Sequence, residues 1–497
     1  MKNLMFSSLI ITLSIFLYGC DPCKKNPADC PGGCTSCPEV TSITPSIAYT
    51  GETVTIAGKN FGKDATKVTV AFADKNVTAN IISQTGDNIT VIVPEPSSAN
   101  EGKEVAVVVK APAPNGTTIL ESSINGKFTY KSPTIQSFSP VSGVFGTTVT
   151  ITGDFGNKIL SSVSFNNIPA SSFSKINNTT IRATLPKGAG TGKITIQFAT
   201  GNKIETAQSF EYLLTYTVST FVSKATLDAF AQSKGTSNLI QDVAFFNEKF
   251  YAPNLAGGLF VIEQNGTISD WIGPTNSGGN KRAHESIVKG DDGQLYFAGT
   301  GTLDYLTTRG FYVTTDVTGF TIKDIAYVGG KIYATRWGNN GNNTKDMIVF
   351  DPNTRAITPF ASGASTPKTV VNGILGLYYS DLHAIIKGNP ATLYVGNQLT
   401  PGALDGVGTA ARFNNPASMV MDTKGKIYVA DTENHRIRLI DNGKVTTIAG
   451  SGIKGILNGI GTAAQFDTPF GITIVNDNTL YTVGNFNDFQ IRKITIE

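Results

Sequence analysis

The sequence predicts an all-β protein, and its composition and internal repeats are the observations that support this fold class. Among 497 residues, Gly accounts for 52, Phe for 28 and Tyr for 16, while charged residues make up only 15%. Such a composition is typical of short strands joined by tight turns, whereas long amphipathic helices need more Glu, Lys, Ala and Leu at a helical spacing. The chain is too long for one hydrophobic core and therefore predicts roughly three domains.

The amino terminus predicts an export signal followed by a lipid anchor. Met1-Lys2-Asn3 precedes a mostly apolar stretch from Leu4 to Tyr18, and Gly19-Cys20 follows. A positive start, a short apolar core and a small residue before the cleavage position describe a signal peptide, and the stretch is too short for a comfortable membrane span. The run from Leu17 to Cys20 resembles a bacterial lipobox, which implies a signal peptide at residues 1–19 and acylation of Cys20. An ordinary signal peptide with an incidental cysteine is the alternative.

All five cysteines lie in the first 37 residues, so the remaining domains do not depend on disulfides. Cys20 is the lipid candidate, and Cys23, Cys30, Cys34 and Cys37 crowd a Pro- and Gly-rich segment that we interpret as a tether, residues 20–38. An even number of cysteines in an exported segment favours disulfides, with the pairing left open. A metal site is the alternative, because Cys34 and Cys37 have ligand-like spacing.

A motif that occurs twice, about 95 residues apart, predicts two small β domains. Each copy has a proline after a short strand, a Gly-x-Thr-Val-Thr-Ile-x-Gly run and an Asn/Asp-Phe-Gly turn. Proline breaks the first strand, glycine turns the chain, and the Thr-Val-Thr-Ile alternation indicates a half-buried strand. The copies occupy residues 43–62 and 138–156. They resemble IPT/TIG domains, which implies two immunoglobulin-like β-sandwiches, at residues 39–131 and 132–213, that act as spacers or bind partners.

A second repeat, offset by 53 residues, fills the last part of the chain. Residues 402–413 match residues 455–466, and the run between them, 424–438, reads Lys-Gly-Lys-Ile-Tyr-Val-Ala-Asp-Thr-Glu-Asn-His-Arg-Ile-Arg. That run resembles the NHL repeat. A regular period of this length with several strands in each unit indicates a β-propeller.

Related but degenerate runs extend the propeller back to residue 214. The strands that we predict to be inner ones are centred on Tyr251, Tyr296, Tyr333, Tyr428 and Tyr481. A less regular segment at about 370–396 supplies a sixth unit, so we predict a six-bladed β-propeller over residues 214–497. Residues 217–222 are expected to supply the outer strand of the unfinished last blade, which would hide the sheet edges.

The sequence contains no complete catalytic motif, so we predict a binding protein that is not an enzyme and needs no cofactor or metal. It has no nucleophile elbow and no phosphate-binding loop. The three histidines, His284, His383 and His435, lack the spacing of a metal site, and His435 lies inside the NHL-like motif, where a structural hydrogen bond is expected. A zinc site assembled from several blades in the central channel is the alternative.

Aromatic residues in the propeller suggest where a ligand would bind. Sugars stack their C–H faces on flat rings and need hydrogen-bonding groups nearby. Trp337 follows a predicted strand and precedes a loop rich in Asn and Gly, which suits an exposed ring. The candidate ligand-binding residues are Trp337, Arg336, Asn339, Trp271, Tyr305 and Arg309. Packing is the alternative role for both tryptophans.

The order of the domains suggests the partner and the location. A lipobox, a Cys-rich tether, two IPT/TIG-like domains and an NHL-like propeller resemble surface lipoproteins of Bacteroidota-type bacteria, which implies an outer-membrane protein that faces outward and captures polysaccharide. The membrane contact would be the lipid anchor alone. An envelope protein-binding scaffold or adhesin is the second hypothesis, and a metal-dependent propeller enzyme is the third. Nucleic acid is not an expected partner, because the net charge is only +3 and the sequence has no basic run beyond Lys24-Lys25.

Overall fold

The computed structural model describes most of the chain after the predicted tether. The described residues are 38–72, 78–96, 102–112, 119–272, 283–307, 310–338, 345–361, 364, 366–373, 376–388, 390–484 and 488–497. They are mostly β, in agreement with the predicted fold class, and the chain divides into two compact units at Leu213 and Leu214. The predicted lipid residue Cys20 and the disulfide candidates Cys23, Cys30, Cys34 and Cys37 lie outside the described residues. Within the described part, no helix is both long and apolar enough to cross a membrane.

The first half of unit 1 is a sandwich of two four-stranded sheets. Its strands are β1 (Glu39–Thr44), β2 (Ile47–Ala48), β3 (Thr53–Lys59), β4 (Thr69–Phe72), β5 (Asn80–Gln84), β6 (Asn88–Ile92), β7 (Glu104–Pro112) and β8 (Ile119–Tyr130). The strand order is β1-β3-β6-β5 in one sheet and β2-β8-β7-β4 in the other. Alternate residues such as Val54, Ile56, Val107 and Val109 are buried between the sheets, as the period of two in each strand requires.

The second half of unit 1 repeats this architecture. Its strands are β9 (Thr134–Ser139), β10 (Ser142–Gly143), β11 (Thr148–Asp154), β12 (Leu160–Phe165), β13 (Ile168–Pro169), β14 (Ser172–Asn177), β15 (Thr180–Thr184), β16 (Ile194–Phe198), β17 (Lys203–Glu205) and β18 (Glu211–Tyr212). They form the sheets β14-β15-β11-β9 and β13-β12-β16-β17, and β10 pairs with β18. Val149, Ile151, Phe165 and Ile196 belong to the core between the two larger sheets.

The glycine that precedes the Asn/Asp-Phe-Gly turn in both copies, Gly58 and Gly153, has a steric cause. Phe61 and Phe155 are fully buried, each just after the strand that carries the motif's first glycine. A Cβ atom on Gly58 would lie 2.0 Å from the Glu39 carbonyl oxygen and 2.3 Å from the Phe61 ring. A Cβ atom on Gly153 would lie 2.1 Å from the carbonyl oxygen of Thr134. Glycine is therefore required where the aromatic ring folds back over the edge of the sheet.

The two sandwiches contact each other through Tyr49. This residue is almost fully buried, and its hydroxyl donates a 3.0 Å hydrogen bond to the Asp154 carbonyl oxygen in the second sandwich. A side chain on Gly156 would overlap the Tyr49 ring, and Lys131 makes a 2.5 Å ion pair with Asp154. These contacts join the sandwiches through packing and polar groups as well as through the connecting chain.

Unit 2 begins with a strand and an α-helix, and the described strands that follow belong to five sheets. The first half contains β19 (Tyr216–Val222), α1 (Lys224–Ser233), β20 (Ala244–Phe246), β21 (Lys249–Pro253), β22 (Leu259–Glu263), β23 (Ile268–Ile272), β24 (His284–Lys289), β25 (Leu295–Thr307), β26 (Gly310–Val328), β27 (Lys331–Gly338), β28 (Lys345–Phe350) and β29 (Ile357–Ala361). The second half contains β30 (Pro367–Gly373), β31 (Gly376–Asp381), β32 (Ala384–Lys387), β33 (Thr392–Gly396), β34 (Gly406–Val407), β35 (Pro416–Met421), β36 (Ile427–Asp431), β37 (Arg436–Asp441), β38 (Lys444–Ala449), β39 (Gly459–Ile460), β40 (Pro469–Val475), β41 (Thr479–Gly484) and β42 (Ile491–Ile496).

Strands from all five sheets of unit 2 line one cavity of about 290 Å³. Their strand orders are β20-β21-β22-β23, β24-β25-β26-β27-β28-β29, β30-β31-β32-β33, β34-β38-β37-β36-β35 and β39-β19-β42-β41-β40. Six strands line the cavity, namely β20, β24, the last part of β26, β30, β35 and β40. The pairing of β19 with β42 confirms that the first strand of the unit completes the last sheet.

The five Tyr-centred strands are not the innermost ones, which corrects the sequence-based prediction. Tyr251, Tyr296, Tyr333, Tyr428 and Tyr481 lie on β21, β25, β27, β36 and β41, each one strand away from the cavity. A strand in the second position has a neighbour on both sides, and its two faces pack against other side chains. The apolar Ile-Tyr-Val-Ala type of run is therefore typical of this position.

A buried arginine holds the repeated loop in each of the last two sheets. Arg438 on β37 is fully buried and pairs with the fully buried Asp431 at 2.7 Å and with Asp405 at 2.8 Å. Its guanidinium also donates to the carbonyl oxygens of Leu404 and Arg412. In the second copy, Arg492 donates in the same way to the carbonyl oxygens of Leu457 and Gln465 and to the side-chain oxygen of Asn458. Each arginine therefore fixes the repeated glycine-rich loop against its sheet.

We expect Gly58→Ala to destabilise unit 1 by about 1–3 kcal/mol, because the added methyl group overlaps a carbonyl oxygen and the Phe61 ring. Calorimetric unfolding of the full chain in detergent measures the change. Both tryptophans lie in unit 2, so tryptophan fluorescence does not report the unfolding of unit 1, and calorimetry is needed. Gly86→Ala is the matched control, since nothing lies within 4 Å of its added Cβ. Equal effects of the two variants would contradict the steric explanation.

We expect Arg438→Met to lower the unfolding free energy of unit 2 by about 3–5 kcal/mol, because it leaves the buried Asp431 carboxylate without its cation. Urea unfolding followed by tryptophan fluorescence measures this loss. Lys444→Met is the control, since it removes an exposed charge from β38 of the same sheet. A loss below about 1 kcal/mol for Arg438→Met would show that the buried pair does not hold the loop.

Candidate functional site

The cavity wall is organised by six residues at matching positions on the lining strands or just before them. Each is followed by an apolar residue of the wall, and the six are Asp242, Ser286, Asp324, Thr369, Ser418 and Gly471. Three of them accept a hydrogen bond from a backbone N–H of the next lining strand. The Ile287 N–H donates to Asp242 at 3.0 Å, and the Val370 N–H donates to Asp324 at 3.0 Å. The Ile472 N–H donates to the Ser418 hydroxyl oxygen at 3.3 Å. The ring therefore links neighbouring strands that share no backbone ladder.

The two carboxylates of this ring have structural hydrogen bonds on every oxygen. Asp242 also accepts from the Val243 N–H at 2.9 Å. Asp324 accepts from the Ser286 hydroxyl at 2.6 Å and from the Ile325 N–H at 2.9 Å. Burial raises the pKa of both, to about 6 for Asp324, and the nearby Asp324 carboxylate adds to the rise for Asp242. Both oxygens of each group are thus engaged in holding the wall.

The three histidines occupy separate structural positions. His284 Nε2 lies 2.8 Å from a buried Asp304 oxygen. His383 Nδ1 accepts the Asn415 N–H at 3.2 Å, and His435 Nδ1 accepts the Thr468 N–H at 3.1 Å, so the last two perform the same role in successive sheets. Burial lowers the pKa of both, and Lys368 contributes to the shift of His383. Among the described residues, no group of three or more His, Cys, Asp or Glu could hold a metal ion.

Trp337 lies at the end of β27, and its indole N–H donates a 2.7 Å hydrogen bond to the Pro367 carbonyl oxygen at the start of β30. Thr432 makes the matching 2.7 Å bond to Pro469 in the regular repeat. Trp337 and Thr432 occupy equivalent positions in their sheets. Trp337 stands two residues after the strand partner of Asp324, and Thr432 stands two residues after the strand partner of Ser418. Trp337 is therefore partly buried and joins neighbouring sheets, which corrects the expectation of a freely exposed ring.

Three lysines surround the Trp337 ring. Their ammonium groups lie 5.6, 4.8 and 5.6 Å from the ring centroid, for Lys323, Lys345 and Lys368 in that order. We call Trp337 and these lysines the basic cluster. Lys323 and Lys368 stand one and two residues before the cavity-lining Asp324 and Val370, so these two lysines adjoin the cavity wall along their strands. The negative faces of aromatic rings attract cations at such distances.

Charge in the basic cluster is only partly compensated. Glu285 accepts two hydrogen bonds from Lys323, at 2.9 and 2.7 Å. Lys345 is exposed and makes no ion pair within the described part of the chain. Lys368 donates to the neutral Asn415 amide oxygen. Burial lowers the pKa of Lys368 to about 8; Glu433 opposes this shift, and Lys323 and Lys345 add to it.

The other candidates from the sequence have different surroundings. Arg336 forms a two-bond ion pair with Asp346, at 2.5 and 2.8 Å, and stacks on Phe320. Trp271 packs into the apolar cluster of the first sheet, and Tyr305 packs beside Tyr296. These positions do not join Trp337 in one site. Asn339 and Arg309 lie outside the described residues.

The lysines of the basic cluster were not identified from the sequence. They come from β26, β28 and β30, and each is an isolated lysine in its own strand. The pairing of Trp337 with Lys345 across β27 and β28 is the local signal that could have found one of them. The other two require knowledge of which sheets are neighbours.

Two family models match the chain. The IPT/TIG domain model matches residues 38–130 and 133–218, and the NHL repeat model matches residues 413–438. These segments are therefore IPT/TIG domains and an NHL repeat, as the motifs in the sequence predicted.

Known proteins resemble parts of this chain. NHL repeat-containing protein 2 from Bos taurus is 34% identical over 100 residues, which are 19% of this chain, and the chain spans only 14% of that relative. The human protein of the same name is 33% identical over an equal length. A solved Bacteroides thetaiotaomicron protein of unknown function is 20% identical, with a TM-score of 0.49 over 73% of this chain and 98% of its own. An auxiliary nutrient binding protein from Bacteroides ovatus is 19% identical, with a TM-score of 0.46 over 74% of this chain and 98% of its own.

We expect the stability of unit 2 to depend on the protonation of Asp324. Burial raises the pKa of Asp324 in the folded protein from 3.8 to about 6. The stability that comes from holding this proton is therefore fully present below pH 3.8 and is lost as the pH rises through about 6. Thermal unfolding of the wild type and of Asp324→Asn between pH 4 and 7 measures this. The wild type should lose stability relative to the variant as the pH rises. Asp291→Asn, an exposed turn residue, should follow the wild type; parallel curves for Asp324→Asn would contradict the assignment.

Proposed function

We propose that this chain is a non-catalytic, lipid-anchored protein of the outer cell surface that captures polysaccharide. Its residues 214–497 would form a closed six-bladed propeller that carries the ligand site. The two IPT/TIG domains would act as spacers, with domain limits at residues 39–131 and 132–213.

Three observations in unit 2 support a closed six-bladed propeller. Six lining segments surround a single cavity, and the six-stranded sheet supplies two of them because β26 is long enough to serve a second blade. The first strand of the unit pairs with the last. A Cβ atom on Gly471 would lie 2.6 Å from the Asp242 Cα, so the last lining strand meets the first. Closure of this kind removes exposed sheet edges.

The anchor rests on the amino-terminal sequence. The apolar stretch before Cys20 and the Cys-rich segment after it support export, acylation and a tether. Several acyl chains on Cys20 would give stable attachment, because each buried CH₂ contributes about 0.8 kcal/mol. Display of many copies on a surface would compensate for weak binding at each site.

The observation that carries the binding proposal is the basic cluster, whose Lys323 and Lys368 adjoin the cavity wall along their strands. It places an indole beside several hydrogen-bond donors, which is the combination that a sugar needs. The carboxylates that line the cavity, Asp242 and Asp324, have both oxygens bonded to the wall, which supports binding over catalysis.

A protein-binding scaffold is the second candidate, and exposed apolar side chains favour it. The repeated glycine-rich loops present Leu404, Val407, Ile456, Leu457 and Ile460, each 58–65% exposed. Apolar side chains gathered in exposed loops are typical of protein interaction sites. This surface lies on the regular repeats and does not include the basic cluster.

We expect at least one class of polysaccharide to retard the full chain, purified in detergent, in native affinity electrophoresis. Trp337→Ala should weaken the retardation roughly tenfold, by loss of the ring and of the alignment that its bond to Pro367 provides. Trp271→Phe is the control, because Trp271 packs in a different sheet.

Circular dichroism would establish that both variants are folded. No retardation by any plant, microbial or host polysaccharide would overturn the proposal. Equal retardation of the wild type and Trp337→Ala would place the site elsewhere on the protein.

A further inference from the structure

The basic cluster carries three positive charges, which a neutral sugar would not require. We propose that it binds anionic groups, so that the captured polymer is an acidic polysaccharide that carries carboxylates along its chain. This inference rests on the proposed function, because it names the class of polysaccharide for the same site.

The first step is geometric. Lys345 reaches the Trp337 ring from β28, and Lys368 reaches it from β30 in the neighbouring sheet. Both ammonium groups lie within 5.6 Å of the same ring centroid, so an acidic polymer that reaches the ring meets both positive charges. Lys323 lies at a similar distance but is already paired with Glu285.

The second step is electrostatic. The charged and titratable groups that interact with Lys368 are Lys323 on β26, Lys345 on β28, His383 before β32 and Glu433 after β36. Glu433 is exposed, whereas Lys368 is partly buried, and the direct partner of Lys368 is a neutral amide. Two like charges with little compensation raise the free energy of the unliganded site, and a carboxylate placed between them lowers it.

The third step concerns the kind of anion. The guanidinium of Arg336, which would suit a planar two-bond contact, is already bonded to Asp346. The groups that remain are separate ammonium point charges around a ring. They suit acidic groups spaced along a sugar chain, whose C–H faces can contact the indole beside them.

The test uses the full-length Trp271→Phe chain in detergent, in which Trp337 is the remaining tryptophan of the two. We expect polygalacturonate to change the Trp337 fluorescence, and methyl-esterified polygalacturonate and dextran to change it far less. Lys345→Met should weaken polygalacturonate binding about fivefold, and Lys368→Met roughly tenfold or more. Lys331→Met is the matched control, because it removes an exposed lysine from the opposite end of the same strand as Trp337.

Two further readouts separate charge from shape. Binding should weaken as the salt concentration rises. It should also weaken between pH 7 and pH 9, because Lys368 loses its proton near pH 8, and Lys368→Met should lose most of this pH dependence.

Equal binding of the methyl ester and the acid would overturn this inference while leaving polysaccharide capture intact. Binding of dextran sulfate without polygalacturonate would overturn the assignment to carboxylates. Failure of every polysaccharide in both fluorescence and electrophoresis would overturn the proposed function as well. An effect of Lys331→Met equal to that of Lys345→Met would show that the response is not specific to the cluster.

Discussion

Neighbouring sheets of unit 2 share no continuous backbone ladder, so side chains must join them where each inner strand begins. Asp242, Asp324 and Ser418 do this around the cavity by accepting N–H groups of the next lining strand. His383 and His435 accept N–H groups further out. Buried backbone groups have to be satisfied, and here the same bonds that satisfy them also fix the angle between sheets. Polar side chains therefore contribute to this arrangement beside the apolar cores between the sheets.

The candidate site uses one of these joining positions. Trp337 stands where Thr432 stands in the regular repeat and donates to the equivalent proline carbonyl oxygen. A threonine would fill that role with a small side chain, whereas tryptophan brings a large ring surface to the same place. The ring is fixed by its N–H bond, and it can hold the ammonium groups of Lys345 and Lys368 nearby. A structural hydrogen bond thus becomes the support of a charged surface.

The fold could be predicted because its cause is local. The glycine before each Asn/Asp-Phe-Gly turn reflects a steric limit at Gly58 and Gly153, and the repeat around Arg438 reflects a buried ion that must be paired. The site was predicted only in part, because its members meet through register and sheet order. Trp337 was identified but assigned an exposed ring, and Arg336 was a candidate although Asp346 pairs with it across two strands. Lys368 lies in the next sheet, so no spacing in the sequence links it to Trp337.

The sheets of unit 2 differ in how closely their sequences repeat, and this difference separates structural positions from positions that are free to bind a ligand. The regular sheets use Arg438 and Arg492 to hold their loops, and any change there would leave a buried charge or carbonyl group without a partner. Ile348 in β28 occupies the position that Arg438 has in β37. The residue before each one, Met347 or Ile437, pairs with the equivalent position of the neighbouring strand, β27 or β36. No buried charge has to be matched at that point of the sheet. The sequence there is less constrained by folding, and the irregular sheets are where polar residues such as Lys345 can be selected for a ligand.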